Sequence, residues 1–171
     1  MLEKVVTFRV REATVDDAPR IAAIYNQGIV ERTATFETRP RREEEIRAWF
    51  DGVHPICVAE ADGLVVAFAA SSAYRARECY AGIAEVSIYV DRAARKKGAG
   101  RAALNGLVAA CEARGFWKLL SRVFVDNQAS RGLVRASGFR EVGIYERHAR
   151  LDGQWRDVVI VEKLIGPASK S

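Results

Sequence analysis

The chain has 171 residues, a formal net charge of +5 and an isoelectric point of about 9.3. Its length predicts one domain, its three unclustered cysteines exclude a disulfide framework, and its two histidines argue against a metal site. Basic and acidic residues are interspersed except in residues 92–101, so we expect this basic patch to bind a small anion rather than nucleic acid. No apolar run approaches the ~18 residues of a membrane span, and we expect a cytoplasmic protein with reduced thiols.

The first third of the chain predicts one strand and two helices. Residues 5–12 form a β-rich run, and Thr14 with Asp17 three residues later is typical of a capping box that opens a helix reaching about residue 31. A second, shorter helix is predicted at residues 43–50. Between the helices, Thr35 and Phe36 are unusual for a solvated connection. Two interpretations of Phe36 stay open: a plug of the core, or an apolar lid over a substrate pocket.

The rest of the chain predicts alternating strands and helices. Residues 56–61 and 64–71 are predicted strands joined by Asp62-Gly63, a strong hairpin signal. A strand and a helix fill residues 83–113, and a further strand and helix fill residues 118–125 and 128–137. Two final strands are predicted at residues 139–146 and 155–163. The predicted order β-α-α-β-β-β-α-β-α-β-β forms one domain over residues 1–166, followed by a disordered tail at 167–171.

Residues 85–101, EVSIYVDRAARKKGAGR, carry the strongest functional signal. Apolar residues alternate with Glu85, Ser87 and Tyr89, which places an acid on one face of a buried strand. Gly98 and Gly100 then stand at the start of an amphipathic helix. Helix N-termini bind anions through unpaired N–H groups, and glycines allow a phosphate to approach the main chain. The stretch therefore predicts a pyrophosphate site.

Three glycine patterns compete for this stretch. A P-loop, G-x-x-x-x-G-K-[ST], is absent. Gly98, Gly100 and Ala103 satisfy the dinucleotide pattern G-x-G-x-x-[GA], but a charged run separates them from the strand that they should follow directly. The third pattern, R-x-x-G-x-G from Arg95 to Gly100, resembles the coenzyme A pyrophosphate loop of the GNAT superfamily of N-acetyltransferases. A basic turn without a ligand is the remaining interpretation.

Further segments resemble the phosphinothricin and methionine sulfoximine N-acetyltransferases of that superfamily. They are IYNQGIVERTATFET, Tyr74-Arg75-Ala76-Arg77, Glu85-Val86-Ser87-Ile88-Tyr89-Val90, Asn127-Gln128-Ala129-Ser130 and Asp152-Gly153-x-Trp155-x-Asp157. TATFETRPR is similar to the arsinothricin N-acetyltransferase branch. The resemblance implies a single-domain α/β (α+β) fold with a mixed, centrally splayed sheet flanked by helices. It also implies a homodimer.

The resemblance implies acetyl-CoA as cosubstrate and no metal. The strand amides and the glycine turn would bind the coenzyme, together with an asparagine after the next strand. The expected residues are Ile88, Tyr89, Val90, Arg95, Lys96, Lys97, Gly98, Ala99, Gly100, Arg101 and Asn127. A helix N-cap is an equally good and compatible interpretation of Asn127.

Acetyl transfer needs a neutral amine, whereas an α-amino group is largely protonated at neutral pH. A base is therefore required, and the resemblance assigns that role to Glu85, acting directly or through a water. An acid that only forms a structural ion pair with an arginine is the alternative. Direct transfer is expected because no well-placed nucleophile is evident: Cys79 and Cys111 have no histidine partner in view.

The acceptor is expected to be anionic. The resemblance places Arg75 and Arg77 on its carboxylate, phosphinate or arsonyl oxygens, which guanidinium groups bind bidentately. Ser87, Thr35 and Phe36 complete the expected substrate site. Taken alone, two surface arginines are more often simply solvated.

One departure from the pattern concerns the leaving thiolate. Relatives often carry histidine where this chain has Val134, so that proton donor is missing. Water or Tyr145 are the open alternatives. His148 is a further candidate, although a lone histidine near the end of a chain is more often surface.

The sequence thus predicts an N-acetyltransferase that acts on a small glutamate-like amino acid of the phosphinothricin, methionine sulfoximine or arsinothricin type and so confers resistance. Two other classes stay open: an oxidoreductase that binds a nicotinamide cofactor, and a coenzyme-A-binding module without catalysis. Within the superfamily, the paired arginines argue against a cationic aminoglycoside, while a protein N-terminus remains an alternative acceptor.

Overall fold

A computed structural model describes residues 6–170 of the chain. Over these residues seven strands and four α-helices follow one another in the predicted order, so that prediction is confirmed. The elements are β1 (Arg9–Glu12), α1 (Ala18–Glu31), α2 (Glu43–Arg47), β2 (Ile56–Ala61), β3 (Leu64–Ala73), β4 (Ile83–Val90), α3 (Ala99–Ala113), β5 (Lys118–Phe124), α4 (Gln128–Ala136), β6 (Arg140–Leu151) and β7 (Gln154–Leu164).

The strands form one mixed sheet in the order β1-β2-β3-β4-β5-β7-β6. Every neighbouring pair is antiparallel except β4 and β5, which run parallel. These two strands pair only where Ile83, Ala84 and Glu85 face Lys118, Leu119 and Leu120. Beyond Glu85 they separate, which confirms the predicted central splay.

The alternation along β4 sends its side chains to two different cores. Val86 is buried in the core that contains Leu104 and Leu107 of α3. Tyr89 packs on the other face, where α1 and α2 cover the sheet. Helix α1 approaches so closely that a Cβ on Gly28 would lie 2.8 Å from the Tyr89 ring. Side chains at positions 85, 87 and 89 therefore share the α1 face of the sheet.

Several element ends differ from the sequence predictions. Strand β1 begins at Arg9, not at Val5, which lies outside the described residues. Helix α2 ends at Arg47 rather than at residue 50, because tighter bonds such as Trp49 N–H to Ile46 O close its last turn. Strand β6 continues to Leu151, five residues further than predicted, past a register shift between positions 145 and 149.

The expected disordered tail is partly ordered. Gly166–Ser169 forms a short 3-10 helix instead. The N–H of Gly166 donates to the Glu112 carboxylate over 3.0 Å, and the Ser169 hydroxyl donates to the Gly166 carbonyl over 2.7 Å. These bonds hold the turn against the end of α3. Ser171 lies outside the described residues.

None of the helices in residues 6–170 combines the length and the apolar character needed to cross a bilayer.

Candidate active site

Two cavities meet where β4 and β5 separate. The first, which we call the α3 cleft, has a volume of about 560 Å³ and lies between the β4–α3 connection and the β5–α4 connection. The second, which we call the α1 cavity, has a volume of about 790 Å³ and lies on the α1 face of the sheet. Both are lined by Ala34, Ser87, Tyr89, Ser121 and Arg122. The splay is therefore a passage between the two faces of the sheet.

The α3 cleft ends at the N-terminus of α3. Gly98 is the N-cap residue, with φ at +91°, a conformation that favours glycine. The first intrahelical bond is donated by Ala102 to the Gly98 carbonyl over 3.0 Å, so the preceding N–H groups have no partner within the helix. The cleft is also lined by the basic side chains of Arg95, Lys96 and Arg101. Unpaired N–H groups at a helix N-terminus, with basic side chains beside them, are an arrangement that favours the binding of phosphates.

Gly100 serves a different purpose from Gly98. A Cβ on Gly100 would lie 2.7 Å from a methyl carbon of Leu133 and 2.9 Å from one of Val90. Glycine at this position lets α3 pack closely against β4 and α4. By contrast, a Cβ on Gly98 would meet only Phe8, at 3.9 Å, so backbone conformation rather than space favours glycine there.

The main chain of β4 points alternately into the splay and away from it. The Val86 carbonyl accepts a 2.8 Å bond from the Ser121 hydroxyl on β5, whereas the N–H of Asp91 donates a 2.8 Å bond to the Val66 carbonyl near the start of β3. Successive residues of a strand alternate in this direction. The N–H groups of Ile88 and Val90 therefore face the cleft. The amide of Tyr89, one of the expected coenzyme contacts, is directed toward β3.

Of two further predicted coenzyme residues, Asn127 lines the α3 cleft and Lys97 does not. Asn127 lines the α3 cleft and is also the N-cap of α4, where its side-chain oxygen accepts from Ser130 N–H at 3.1 Å. Its Nδ2 donates to the Thr33 carbonyl at 3.1 Å and so connects α4 to the segment after α1. Lys97, in contrast, does not line the cleft, and its ammonium lies 3.4 Å from the Ala93 carbonyl.

The α1 cavity brings together four of the predicted substrate residues. Glu85, Ser87, Thr35 and Phe36 all line it. The Phe36 ring packs edge-on against Phe124 with 4.9 Å between the ring centroids. Phe36 is thus compatible with both interpretations: its ring packs against a small apolar cluster, and it also lines the cavity.

The structure does not bring Arg75 and Arg77 into this cavity. Both side chains are exposed, on the loop that follows β3. The Arg75 guanidinium lies 5.1 Å from the Tyr74 ring centroid, and that of Arg77 lies 6.0 Å from the Tyr80 centroid. Two cation–π contacts thus hold the arginines on the surface of the single chain.

Sequence reasoning missed Arg122, which lies at the passage between the cavities. Its Nη2 is 2.5 Å from Oε2 of Glu85. The side chains are 47% and 30% exposed, respectively, so the pair is open to solvent and to a ligand. An arginine in the middle of the largely apolar strand KLLSRVFV was the available signal. The sequence could not reveal its partner, because that depends on the parallel register of β4 and β5.

The floor of the α1 cavity contains two tyrosines. The rings of Tyr25 and Tyr89 pack edge-on, 4.9 Å apart. Burial raises the pKa of both hydroxyls, so they are neutral hydrogen-bonding groups at neutral pH. They supply polarity to the cavity without charge.

The candidate proton donors for a leaving thiolate are unevenly placed. Val134, which is 2% exposed, lines the α3 cleft and confirms that a buried apolar side chain occupies this position. Tyr145 is 54% exposed and lines neither cavity. His148 lines the α1 cavity, with its ring 6.5 Å from that of Phe36. Neither ring lies on the α3 side of the passage.

The cysteines are not arranged as nucleophiles. Burial raises the pKa of Cys57 to about 12 and that of Cys111 to about 11, so both are neutral thiols. Cys79 is exposed and outside both cavities. Over residues 6–170, no three His, Cys, Asp or Glu side chains come together in a group that could hold a metal ion.

The sheet topology also disfavours the nicotinamide alternative. A dinucleotide fold places its glycine turn directly after a strand of a mostly parallel sheet. Here the 3-10 turn Arg92–Ala94 separates β4 from Gly98, and β4–β5 is the one parallel pair among the described strands. The basic helix N-terminus and the inward amides of β4 suit the diphosphate and the thioester of acetyl-CoA better.

Comparisons with known proteins agree with this geometry. Residues 21–139 match the family described as Acetyltransferase (GNAT) family. The chain is 35% identical over 159 residues to "Phosphinothricin N-acetyltransferase" of Alcaligenes faecalis, covering 90% of this chain and 81% of that protein. It is 32% identical over 163 residues to "L-methionine sulfoximine/L-methionine sulfone acetyltransferase" of Pseudomonas paraeruginosa, covering 92% and 95%.

A solved structure extends the similarity to three dimensions. It is the crystal structure of a GNAT superfamily phosphinothricin acetyltransferase from Sinorhizobium meliloti in complex with AcCoA. The TM-score is 0.88 at 31% identity, covering 96% of this chain and 92% of that one. The chain therefore belongs to the acetyltransferase (GNAT) family and is an acetyl-CoA-dependent N-acetyltransferase.

Proposed function

We propose that the enzyme transfers the acetyl group of acetyl-CoA to the α-amino group of a small amino acid with a tetrahedral anionic side chain. Phosphinothricin, methionine sulfoximine and arsinothricin represent this class, and blocking the amine of such a toxic glutamate analogue would give resistance. The observation that carries the proposal is the position of Glu85, beside the passage between a phosphate-binding cleft and a separate polar cavity. The names of the relatives support the acceptor class.

In this proposal the two cavities have different roles. The α3 cleft binds acetyl-CoA, which supplies an activated acetyl thioester. The N-terminus of α3 would bind the diphosphate, with Arg95, Lys96 and Arg101 adding positive charge. The α1 cavity binds the acceptor, with Phe36 against its aliphatic part. The amine then reaches the thioester through the passage.

Glu85 is the proposed base. Its carboxylate takes a proton from the acceptor ammonium, directly or through one water, and the neutral amine forms the new C–N bond while the C–S bond breaks. Negative charge that develops on the thioester oxygen is stabilised by the N–H groups of Ile88 and Val90, which the strand directs into the cleft. Solvent is the proposed proton donor to the departing thiolate; this choice is supported by Tyr145 lining neither cavity and by His148 lining only the α1 cavity.

Arg75 and Arg77 are proposed to bind the anionic side chain of the acceptor. The loop that carries them follows Ala73, which pairs with Ala84 next to Glu85. The arginines thus follow the end of β3 whose residues Ala70, Ser71 and Ser72 line the α1 cavity. Binding requires them to leave the Tyr74 and Tyr80 rings, and a bidentate bond to an oxyanion is stronger than an exposed cation–π contact.

We further propose a cytoplasmic homodimer. Strand β6 is the edge of the sheet and exposes its side chains over most of its 12 residues. Val142, Ile144, Tyr145 and Trp155 of the β6–β7 hairpin are among the exposed large apolar side chains. A long edge strand with apolar side chains is a surface that a second copy can cover. Light scattering coupled to size exclusion would measure the mass.

The test of the function is a comparison of acceptors. CoA release would be measured with phosphinothricin, methionine sulfoximine, arsinothricin and glutamate as amines, and the acetylated products would be identified by mass spectrometry. We expect acetylation of at least one of the first three, with glutamate poorer. Binding of acetyl-CoA without thiol release for any amine would instead identify a coenzyme-binding module.

A further inference from the structure

We propose that Glu85 and Arg122 form an ion pair that the acceptor opens by exchanging partners with it. The α-carboxylate of the incoming amino acid binds the Arg122 guanidinium, and its ammonium binds the Glu85 carboxylate. Arg122 is thus an acceptor-binding residue that controls when the base is free. This inference rests on the proposed function, because it concerns the same amino-acid acceptor.

The position of the pair supports the exchange. Glu85 is the last β4 residue that pairs with β5, opposite Leu120, and Arg122 lies two residues further along β5 on the same face of the sheet. The contact of 2.5 Å therefore reaches across the point where the strands begin to separate. Both side chains line the α1 cavity, so an acceptor that enters this cavity meets both charges.

Arg122 differs from Arg41, the other arginine that lines this cavity, in how many of its N–H donors already have an acceptor. The Arg41 guanidinium already contacts Glu37 at 2.7 Å and Glu45 at 3.3 Å. Among the described residues Arg122 has one acceptor, Glu85, which contacts a single Nη2. A guanidinium carries five N–H donors, so Arg122 keeps donors for a bidentate carboxylate bond.

Complementarity to a zwitterion follows from this arrangement. An α-amino acid presents its ammonium and its carboxylate on one carbon, and the Glu85–Arg122 pair presents the opposite charges side by side. Replacing one ion pair by two leaves every charge with a partner, which removes most of the penalty for breaking the original contact. A simple amine can compete for Glu85 but leaves Arg122 without an anion.

The pair therefore selects acceptors by their α-carboxylate. When only an amine is present, Arg122 stays on Glu85 and competes with the ammonium for the same oxygens. When an amino acid is present, its α-carboxylate binds Arg122 instead, and Glu85 is free to contact the ammonium group of the acceptor. A static ion pair, which only orients Glu85, would treat an amino acid and its ester alike.

The experiment compares a good amino-acid acceptor with its α-methyl ester in the wild-type enzyme and in Arg122→Gln and Arg122→Lys. We expect the wild type to prefer the amino acid by about 10- to 100-fold in kcat/KM, as a charged hydrogen-bonded pair implies. In Arg122→Gln this preference falls to within about threefold, mainly through a higher KM for the amino acid. Arg122→Lys keeps part of the preference, because its charge remains without the guanidinium geometry.

Arg156→Gln is the matched control. Arg156 packs over the Phe124 ring at 4.5 Å and contacts Asp126, but it does not line the α1 cavity. This variant should keep the wild-type preference. Circular dichroism melts would verify folding, and Arg122→Lys provides the test if Arg122→Gln does not fold.

The outcomes separate the two proposals. If the wild-type enzyme acetylates amino acids and its preference for the amino acid over the ester is the same in all Arg122 variants, the ion-pair exchange is overturned and the proposed function still stands. Equal use of ester and amino acid by the wild type would do the same. A wild-type enzyme that releases no CoA with any amino acid would overturn the proposed function itself.

Discussion

The hydroxyl of Ser121 on β5 donates a 2.8 Å hydrogen bond to the main-chain carbonyl of Val86 on β4. These residues come directly after Leu120 and Glu85, the last pair that joins the two strands. A side chain thus replaces the backbone bond that a continuous sheet would make there. The hydroxyl marks where the splay begins and fixes the direction of the β4 amides beyond it.

Replacing Ser121 with alanine should weaken both the fold and catalysis. Val86 is 4% exposed, so its carbonyl would be left poorly solvated, at a cost of about 1–3 kcal/mol in the free energy of unfolding. We expect a lower melting temperature and a lower kcat, because the Ile88 amide loses its support. Denaturant unfolding and CoA-release kinetics measure the two effects. Ser121→Thr, which retains the hydroxyl, is the control, and an alanine variant with wild-type stability would contradict the role of this bond.

Glu85→Gln should fold and lose most turnover at neutral pH. Glutamine has nearly the same shape but cannot accept the ammonium proton, and a positioned base typically contributes about 10²- to 10⁴-fold. The KM for acetyl-CoA should stay near the wild-type value, because Glu85 does not line the α3 cleft. Initial rates with both substrates varied provide the measurement. Full turnover by this variant would show that another group is the base.

Gly98→Ala should impair coenzyme binding specifically. Gly98 has φ at +91° and Gly115, just beyond the C-terminal end of the same helix, has φ at +86°. Alanine at either position adds similar strain of about 1–2 kcal/mol. Only Gly98 lines the α3 cleft, so only Gly98→Ala should raise the KM for acetyl-CoA, by about tenfold or more.

Gly115→Ala therefore serves as the control for strain. Both variants should lose a comparable amount of stability in urea unfolding. If the two glycine variants changed the KM for acetyl-CoA equally, the effect would come from strain in α3, and the assignment of its N-terminus as the diphosphate site would be wrong.

The native protein should expose one reactive thiol out of three. Cys79 is exposed, whereas Cys57 and Cys111 are buried. Burial raises the pKa of these two thiols to about 12 and about 11, from an ordinary value of 9.0. A thiol-specific colour reagent should thus label one cysteine in buffer and three in denaturant, and Cys79→Ser should abolish the native signal without loss of acetyl transfer.

The same pKa shifts set a stability window at high pH. Because the folded pKa values lie above those of the unfolded chain, the stabilisation by the two buried thiols is complete below pH 9. It is lost as the pH rises through about 11 and 12. For the labelling experiment, rapid reaction of all three cysteines in the native protein, or a loss of activity in Cys79→Ser, would contradict the prediction of one reactive thiol.

Arg75→Ala and Arg77→Ala should each raise the KM for the amino-acid acceptor by about tenfold, because each removes a guanidinium proposed to bind the anionic side chain. The KM for acetyl-CoA should hardly change. Arg47→Ala is the control, since Arg47 is held by Glu43 within α2 and lines neither cavity. Equal effects of the variants on both substrates would contradict a role of the loop in acceptor binding.

Much of the fold was accessible from local pattern. The Asp62-Gly63 hairpin, the alternation in β4 and the glycines before α3 are short-range signals, and the structure has the corresponding elements. The end of β6 was missed because a register shift near Tyr145 lets the strand continue past residue 146. Irregular pairing of this kind depends on the partner strand, which periodicity within one segment does not reveal.

Site residues could be predicted where they belong to one continuous motif in the chain. Residues that come together only through the pairing of two strands were harder to predict. Gly98 and its basic neighbours occupy one stretch, and they do line the cleft. Arg122 joins Glu85 from 37 residues away through a parallel register. Lys97 was included because of its neighbours in sequence, but the turn directs its ammonium to the Ala93 carbonyl. Arg75 and Arg77 were grouped with Glu85 by resemblance, and their exposed positions agree with the alternative that two surface arginines are simply solvated.

The two cavities draw on different parts of the chain, and this division has a consequence for how the enzyme can diversify. Apart from the residues at the passage, residues 35–51, including Phe36 and Trp49, line only the α1 cavity, whereas the turn at Gly98 and α4 line only the α3 cleft, to which Gly28, Glu31 and Thr33 also contribute. Changes at residues 35–51 can alter the proposed acceptor site while every residue that lines the proposed coenzyme site stays the same. Evolution, or a protein engineer, can thus exchange one specificity for another by rewriting about twenty positions near the amino-terminal end.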